Sequence, residues 1–318
     1  MEGFRNKSSI GMTLKRIKAD YVLYIFIGIL ILWYIIFQYL PMGGLLLAFK
    51  DYNPSEGIMG SDFIGLSKFN DLMFKNYSSQ FWMAFRNTFQ ISIYNLIFGF
   101  PFPIILAILF AEVGNDIYRK IVQTVSYLPH FISEVTITGL VIFLVYKSTS
   151  STGVIASMLY ALKLIPEDVK ILDSPEYFKP LYIITGLWKE SGYSSIVYFA
   201  AVMGISPVMY EALKVDGGSK MQELRYVTLP SIAPMITVML IMRIGRMLNV
   251  GYERIILLYN SKTYETADVI SSFVYRMGVE NGNTSLGTAS GMFNAVLGFV
   301  LVIGANYIGR KVSNTSLW

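Results

Sequence analysis

Apolar residues gather in six long runs, at 21–40, 88–111, 121–146, 181–204, 229–250 and 288–309, with polar stretches between them. Each run is close to the roughly 20 residues that a helix, rising about 1.5 Å per residue, needs to cross a bilayer. The pattern therefore predicts an all-helical membrane protein of six spans. The run at 21–40 is too long for the core of a secretory signal, and no small-residue cleavage site follows it, so it is expected to remain as an anchor. The organisation expected is a short polar segment, 1–20, followed by one membrane domain over 21–318.

The polar interruption at 205–228 has its own punctuation. Ser206-Pro207 is a good helix opening, because a serine oxygen accepts a backbone N–H and proline at the first helical position gives up a donor that would be unpaired. Gly217-Gly218 is a stop. Ser219 and Gln222 have the form of a capping box, which starts a second short helix. Leu229-Pro230 is expected to end it, since the residue before a proline is pushed away from helical dihedrals. The first helix would carry Val208, Ala212 and Val215 along one side. Neither helix is long enough to stand alone in water, so both need a surface.

Composition narrows the class. The chain is 54% hydrophobic and 15% charged and contains no cysteine, with His130 as its one histidine. Disulfides are excluded, and the clustered ligands that a metal centre needs are missing. The net charge of +5 has to be divided between two membrane faces. The segments 1–20, 112–120, 205–228 and 310–318 hold 12 basic and 7 acidic residues, and 41–87, 147–180 and 251–287 hold 11 and 12. The first set has about half the length, and short basic loops stay in the cytoplasm. Both termini and the segment 205–228 are thus expected to be cytoplasmic, with Lys15, Arg16 and Lys18 beside the first span. Tyr177, Phe178, Phe81 and Trp82 lie near span ends, where an interfacial belt is expected.

The order Glu211-Ala212-Leu213, Asp216-Gly217-Gly218 and Val227-Thr228-Leu229-Pro230 resembles the EAA loop of ABC importer permeases, departing from it at Leu213, Gly218 and Val227. FKDYNP at 49–54, VQTVSYLPHF at 122–131, WKESGY at 188–193, NVGYERIILLYN at 249–260 and the closing SLW resemble the sugar-importer permeases of Gram-positive bacteria that act beside binding lipoproteins for complex polysaccharides. The resemblance implies the type I importer permease fold, with 205–228 as a coupling helix seated on a separate ATPase. It implies a second homologous permease, two ATPases and an extracellular substrate-binding lipoprotein as partners, and an oligosaccharide as cargo. Glu211, Ala212, Leu213, Asp216, Gly217, Gly218, Leu229 and Pro230 would form the coupling element. No phosphate loop is present in the chain, so ATP and magnesium would belong to the partner ATPases and the chain itself would bind no cofactor.

Five ionisable residues fall inside the runs: Glu134, Lys189, Glu190, Arg243 and Arg246. A charge in mid-membrane costs about 2.5–3.5 kcal/mol, so each should avoid lipid. Counting rise per residue puts all five at similar depth. They either pair with one another or border the translocation path, where one excess cation would suit an acidic sugar. Trp188, Tyr193, Tyr198, Asn249 and Asn294 are further candidates for that path. His130 after Leu128-Pro129 is either a proton relay or a partner for carbonyls freed at the break. Gly287 and Gly291 form a G-x-x-x-G that would suit a neighbouring permease. An ion-coupled secondary transporter is the alternative, although paired broken helices in two inverted halves are not evident. No nucleophile, base and orienter grouping points to an enzyme.

Overall fold

A computed structural model describes residues 19–313. Lys15, Arg16 and Lys18 and the closing Ser316, Leu317 and Trp318 lie outside the described residues. The chain is helical almost throughout, and a two-stranded antiparallel ribbon pairs Lys50 with Phe63 and Asp51 with Asp62.

The main helices are α1 (Tyr21–Tyr34), α2 (Ser67–Phe74), α3 (Ser78–Ile97), α4 (Pro101–Glu112), α5 (Asp116–Tyr127), α6 (Glu134–Val145), α7 (Val154–Ala161), α8 (Pro175–Met203), α9 (Pro207–Val215), α10 (Leu229–Gly245), α11 (Tyr252–Leu258), α12 (Ile270–Tyr275) and α13 (Thr284–Ser313). Four stretches are long and apolar enough to cross a bilayer: Tyr21–Phe49, Ser78–Glu112, Lys220–Gly245 and Thr284–Lys311. The number reaches six if each of two bent pairs makes one span, Asp116–Phe131 with Glu134–Val145 and Pro175–Met203 with Pro207–Val215.

The third span is therefore not straight. Pro129 opens a 3-10 turn over Leu128–Phe131, and Ser133 then caps a new helix by accepting the Thr136 amide at 3.2 Å. The path turns by 102°. This corrects the depth expected for Glu134: it stands in the first turn of α6, where the helix N-terminus favours a carboxylate.

Helix α8 is the central strut, touching α3, α4, α5, α6, α10 and α11. A Cβ on Gly192 would lie 1.9 Å from the Ser126 carbonyl oxygen, so the backbones of α5 and α8 meet there. Phe81 and Phe178 are buried in the core, which corrects their expected place in an interfacial belt, whereas Trp82 is exposed. Gly287 is also reassigned. A Cβ there would come within 2.8 Å of Gly278 Cα in the same chain, whereas a Cβ on Gly291 would meet no other part of the described chain within 4 Å.

The segment between α10 and α13 is anchored by polar contacts. Arg276 clasps buried Asp268 with both Nη atoms, at 3.0 and 2.7 Å, and Asn87 Nδ2 donates to the carbonyls of Glu265 and Asp268. Burial opposes the guanidinium charge, yet Asp268 and Tyr264 outweigh it and raise the Arg276 pKa above its ordinary value. Helix α1, by contrast, buries none of its residues against the rest of the chain, leaving its apolar surface for lipid or another polypeptide.

Candidate functional site

Two places concentrate polar groups: the 205–228 hairpin and a charged cavity beside α8.

In the hairpin, α9 opens at Pro207 as expected, although the Ser206 hydroxyl makes no capping bond. Its end is a Schellman motif, with Gly217 N donating to Lys214 O at 3.0 Å and Gly218 N to Leu213 O at 2.9 Å. Gly217 sits at φ +77, a left-handed conformation that side chains resist. A Cβ at 218 would meet Leu213 Cγ at 2.5 Å. Two departures from the EAA pattern thereby explain each other, since the larger Leu213 fills the space that alanine at 218 would take. Ser219 N then donates to Gln222 Oε1 at 2.7 Å, closing the predicted capping box.

The expected stop at Leu229-Pro230 is absent. The chain passes through a π turn over Glu223–Thr228 and continues into α10, so that Lys220–Gly245 is one rod. The wider π turn shifts the hydrogen-bond register just where proline lacks a donor, which lets the helix run on.

Val208 and Val215 are exposed, as are Ala212, Glu211 and Asp216. The hairpin holds itself by other means. Tyr210 Oη bonds Thr228 Oγ1 at 3.0 Å, and Lys220 Nζ bridges Glu112 of α4 and buried Glu223 at 3.0 and 2.9 Å. A groove of about 660 Å³ separates the hairpin from the ends of α4 and α8, with Glu112, Tyr210, Glu211 and Lys214 on its walls.

The second place is a linked set of charges. Glu134 takes Lys189 Nζ at 2.9 Å on one oxygen and Arg254 Nε on the other. Lys189 also reaches Glu190 at 3.3 Å, and Glu190 accepts from His130 Nδ1 at 2.9 Å. His130 lies flat on Tyr193, with centroids 3.9 Å apart and planes within 2°. His130 thus pairs with Glu190 and stacks on Tyr193, and among the described residues no bond from it to a carbonyl freed at Pro129 is found. Arg254 packs over the Tyr182 ring at 5.0 Å and needs the bare Cα of Gly186, where a Cβ would come within 2.8 Å of Nη1.

Two adjoining cavities open here. One, of about 490 Å³, is bordered by Glu134, Glu190, Arg243, Asn249, Glu253 and Arg254. The other, of about 480 Å³, shares Arg243 and Asn249 and adds Arg246, Tyr193 and Tyr198. Glu190, Tyr193, Tyr198, Arg243, Arg246 and Asn249 therefore come together as expected. Trp188, Lys189 and Asn294 border neither cavity: Trp188 is exposed, Lys189 is buried between carboxylates, and Asn294 Nδ2 donates to Leu248 O at 3.2 Å. Arg254, Tyr182 and Asn95 were not among the expected residues. Arg254 lies outside the apolar runs, and no spacing rule links it to Glu134, 120 positions earlier in the chain.

The family model described as "Binding-protein-dependent transport system inner membrane component" matches residues 99–314. Protein LplB of Bacillus subtilis (strain 168) is 37% identical over 302 residues, covering 95% of this chain and 92% of that protein. The polygalacturonan/rhamnogalacturonan transport system permease protein YteP of the same organism is 35% identical over 315 residues, 99% of this chain and 95% of that protein. A crystal structure of a bacterial ABC transporter involved in the import of the acidic polysaccharide alginate has a chain that superposes with TM-score 0.85 at 44% identity, covering 95% of this chain and 99% of that one. A crystal structure of a bacterial alginate ABC transporter in complex with an alginate pentasaccharide-bound periplasmic protein matches equally well, with TM-score 0.85 at 44% identity over 95% of this chain and 99% of that one.

Proposed function

This chain belongs to the inner-membrane components of binding-protein-dependent transport systems, the permease subunits of ABC importers, and from that footing we propose that it forms half of a pore for acidic oligosaccharides. Its partners in this reading are a second, homologous permease, two ATPase subunits on the cytoplasmic side, and a binding protein that delivers sugar from outside. ATP and magnesium would act in the ATPases.

The observation that carries the mechanism is that the hairpin is the common end of two rods that border the cavities. Helix α8 brings Tyr182, Glu190 and Ser194 to the cavity walls, and the rod Lys220–Gly245 brings Arg243. At about 1.5 Å per residue the latter spans roughly 39 Å. A shift imposed on α9 by an ATPase would be passed along both rods to the groups that face cargo. The uncovered edge of Val208, Ala212 and Val215, with Glu211 beside it, is the surface offered to that ATPase. Cargo chemistry is supported by the uronic-acid polymers in the names of the relatives and by Arg243 and Arg246 at the second cavity.

Proteoliposomes containing the two permeases and their ATPases, supplied with binding protein and an oligogalacturonate, are expected to accumulate sugar only when ATP is present inside. Uptake driven by a proton or sodium gradient, with the ATPases left out, would overturn the proposal.

A further inference from the structure

The cations around α8 fall into two kinds. Lys189 and Arg254 both lie against Glu134, and Lys189 has Glu190 as well. Arg243 and Arg246 make none of the ion pairs found among the described residues. The contact found for Arg243 is a long one, Nη2 to the Asn95 carbonyl at 3.4 Å. The fold makes room for it, because a Cβ on Gly99 would stand 2.9 Å from that same Nη2.

The two cavities differ accordingly. The first has Glu134, Glu190 and Glu253 on its walls with Arg243 and Arg254. The second has Arg243 and Arg246 and, among the described residues, no carboxylate. Its remaining polar lining, which includes Asn95, Asn249, Tyr193, Tyr198 and Ser194, offers hydrogen bonds and ring faces without charge. Tyr193 is held in place by the His130 stack. Arg243 belongs to the last turn of α10, and Arg246 follows it as the helix cap, so both guanidinium groups arise from the end of the rod that leads to the hairpin.

We propose that this second cavity is a carboxylate-reading station, in which Arg243 and Arg246 bind uronate carboxylates of the passing oligosaccharide. The assignment rests on the reading that the cargo carries carboxylates, and it names the residues that select them. A guanidinium offers two parallel N–H donors that match a carboxylate, and such charge-assisted bonds are about twice as strong as neutral ones. The acids of the first cavity repel an anion, so the charged groups of cargo have one favourable berth of the two. Because both arginines ride on the end of one rod, movement of the hairpin carries them together relative to the α8 side of the cavity and loosens the grip once per cycle.

The test is the KM for tetragalacturonate and its dependence on salt, measured in the full reconstituted transporter with Arg243→Gln, Arg246→Gln and the two lysine replacements. Each glutamine variant is expected to raise KM about tenfold with kcat little changed, as loss of a charge-assisted bond predicts. It should also flatten the salt dependence, since screening weakens a contact between charges and leaves neutral ones alone. The lysine variants keep the charge, so they are expected to retain the salt dependence with an intermediate KM. An unchanged KM overturns the station. A fall in kcat with the salt dependence intact also overturns it, because that outcome means the arginines hold helices or the sister permease. Wild-type transporter that takes the methyl-esterified tetramer as readily as the acid overturns the acidic-cargo reading, and the station with it.

Discussion

Valine in place of Gly217 is expected to lower ATP-driven uptake roughly 5- to 150-fold while the protein still inserts and keeps its helix content. The residue holds φ +77, where a β-branched side chain is strained by about 1–3 kcal/mol. Its amide closes one of the two bonds of the Schellman motif, and its neighbour Gly218 closes the other. Relieving the strain means opening that motif, which swings α9 away from the start of the Lys220–Gly245 rod. Membrane spans lie beyond the turn and do not depend on it. The loss should therefore appear in uptake and in the amount of ATPase that co-purifies, with circular dichroism unchanged. Uptake equal to that of the unaltered protein would mean that the turn transmits nothing.

Glu134→Gln is expected to have the largest effect on stability. Both oxygens of Glu134 carry a cation, Lys189 on one and Arg254 on the other. Removing the charge strands two largely buried cations, and breaking buried pairs of this kind costs about 3–5 kcal/mol. Lys189 keeps Glu190 at 3.3 Å, so Arg254 bears most of the loss. Replacing Arg254 with methionine in the same protein removes the stranded charge and is expected to recover part of the stability. Heating in detergent, with the folded fraction followed by size exclusion, reads both changes. A Glu134→Gln protein as heat-resistant as the parent would show the cluster to be incidental.

The two places differ in how far the sequence foretold them. In the hairpin the determinants are local: Pro207, Gly217, and the Ser219 and Gln222 box act within a few positions of one another and formed, while the Ser206 cap did not. The stop expected at Leu229-Pro230 failed, because a π turn carries the helix through the proline, and that depends on what the turn packs against. The charged cavity is the opposite case. Depth counted along a straight helix cannot anticipate the 102° bend after Phe131, so the height given to Glu134 had no basis. Nor could the counting supply Arg254, which reaches Glu134 from a separate part of the chain. The expected balance of two acids against three cations thus omitted Arg254 and also Glu253, which borders the first cavity. Among the described residues Glu134 pairs with Lys189 and Arg254, Glu190 pairs with Lys189 and His130, and Arg243 and Arg246 enter no ion pair. The apolar runs said nothing of which faces are covered: the first of them falls in a helical stretch, Tyr21–Phe49, whose first helix, α1, buries none of its described residues.

The most direct test of the account uses the absence of cysteine from the chain, which makes a thiol introduced at exposed Val215 unique. In the assembled transporter, a membrane-impermeant thiol reagent is expected to reach Val215→Cys from the cytoplasmic side alone. A short thiol crosslinker should join it to the ATPase, arresting uptake until the link is reduced. Labelling from the external face, or full uptake with the link in place, would contradict the claim that this hairpin passes the ATPase's movement to the cavity.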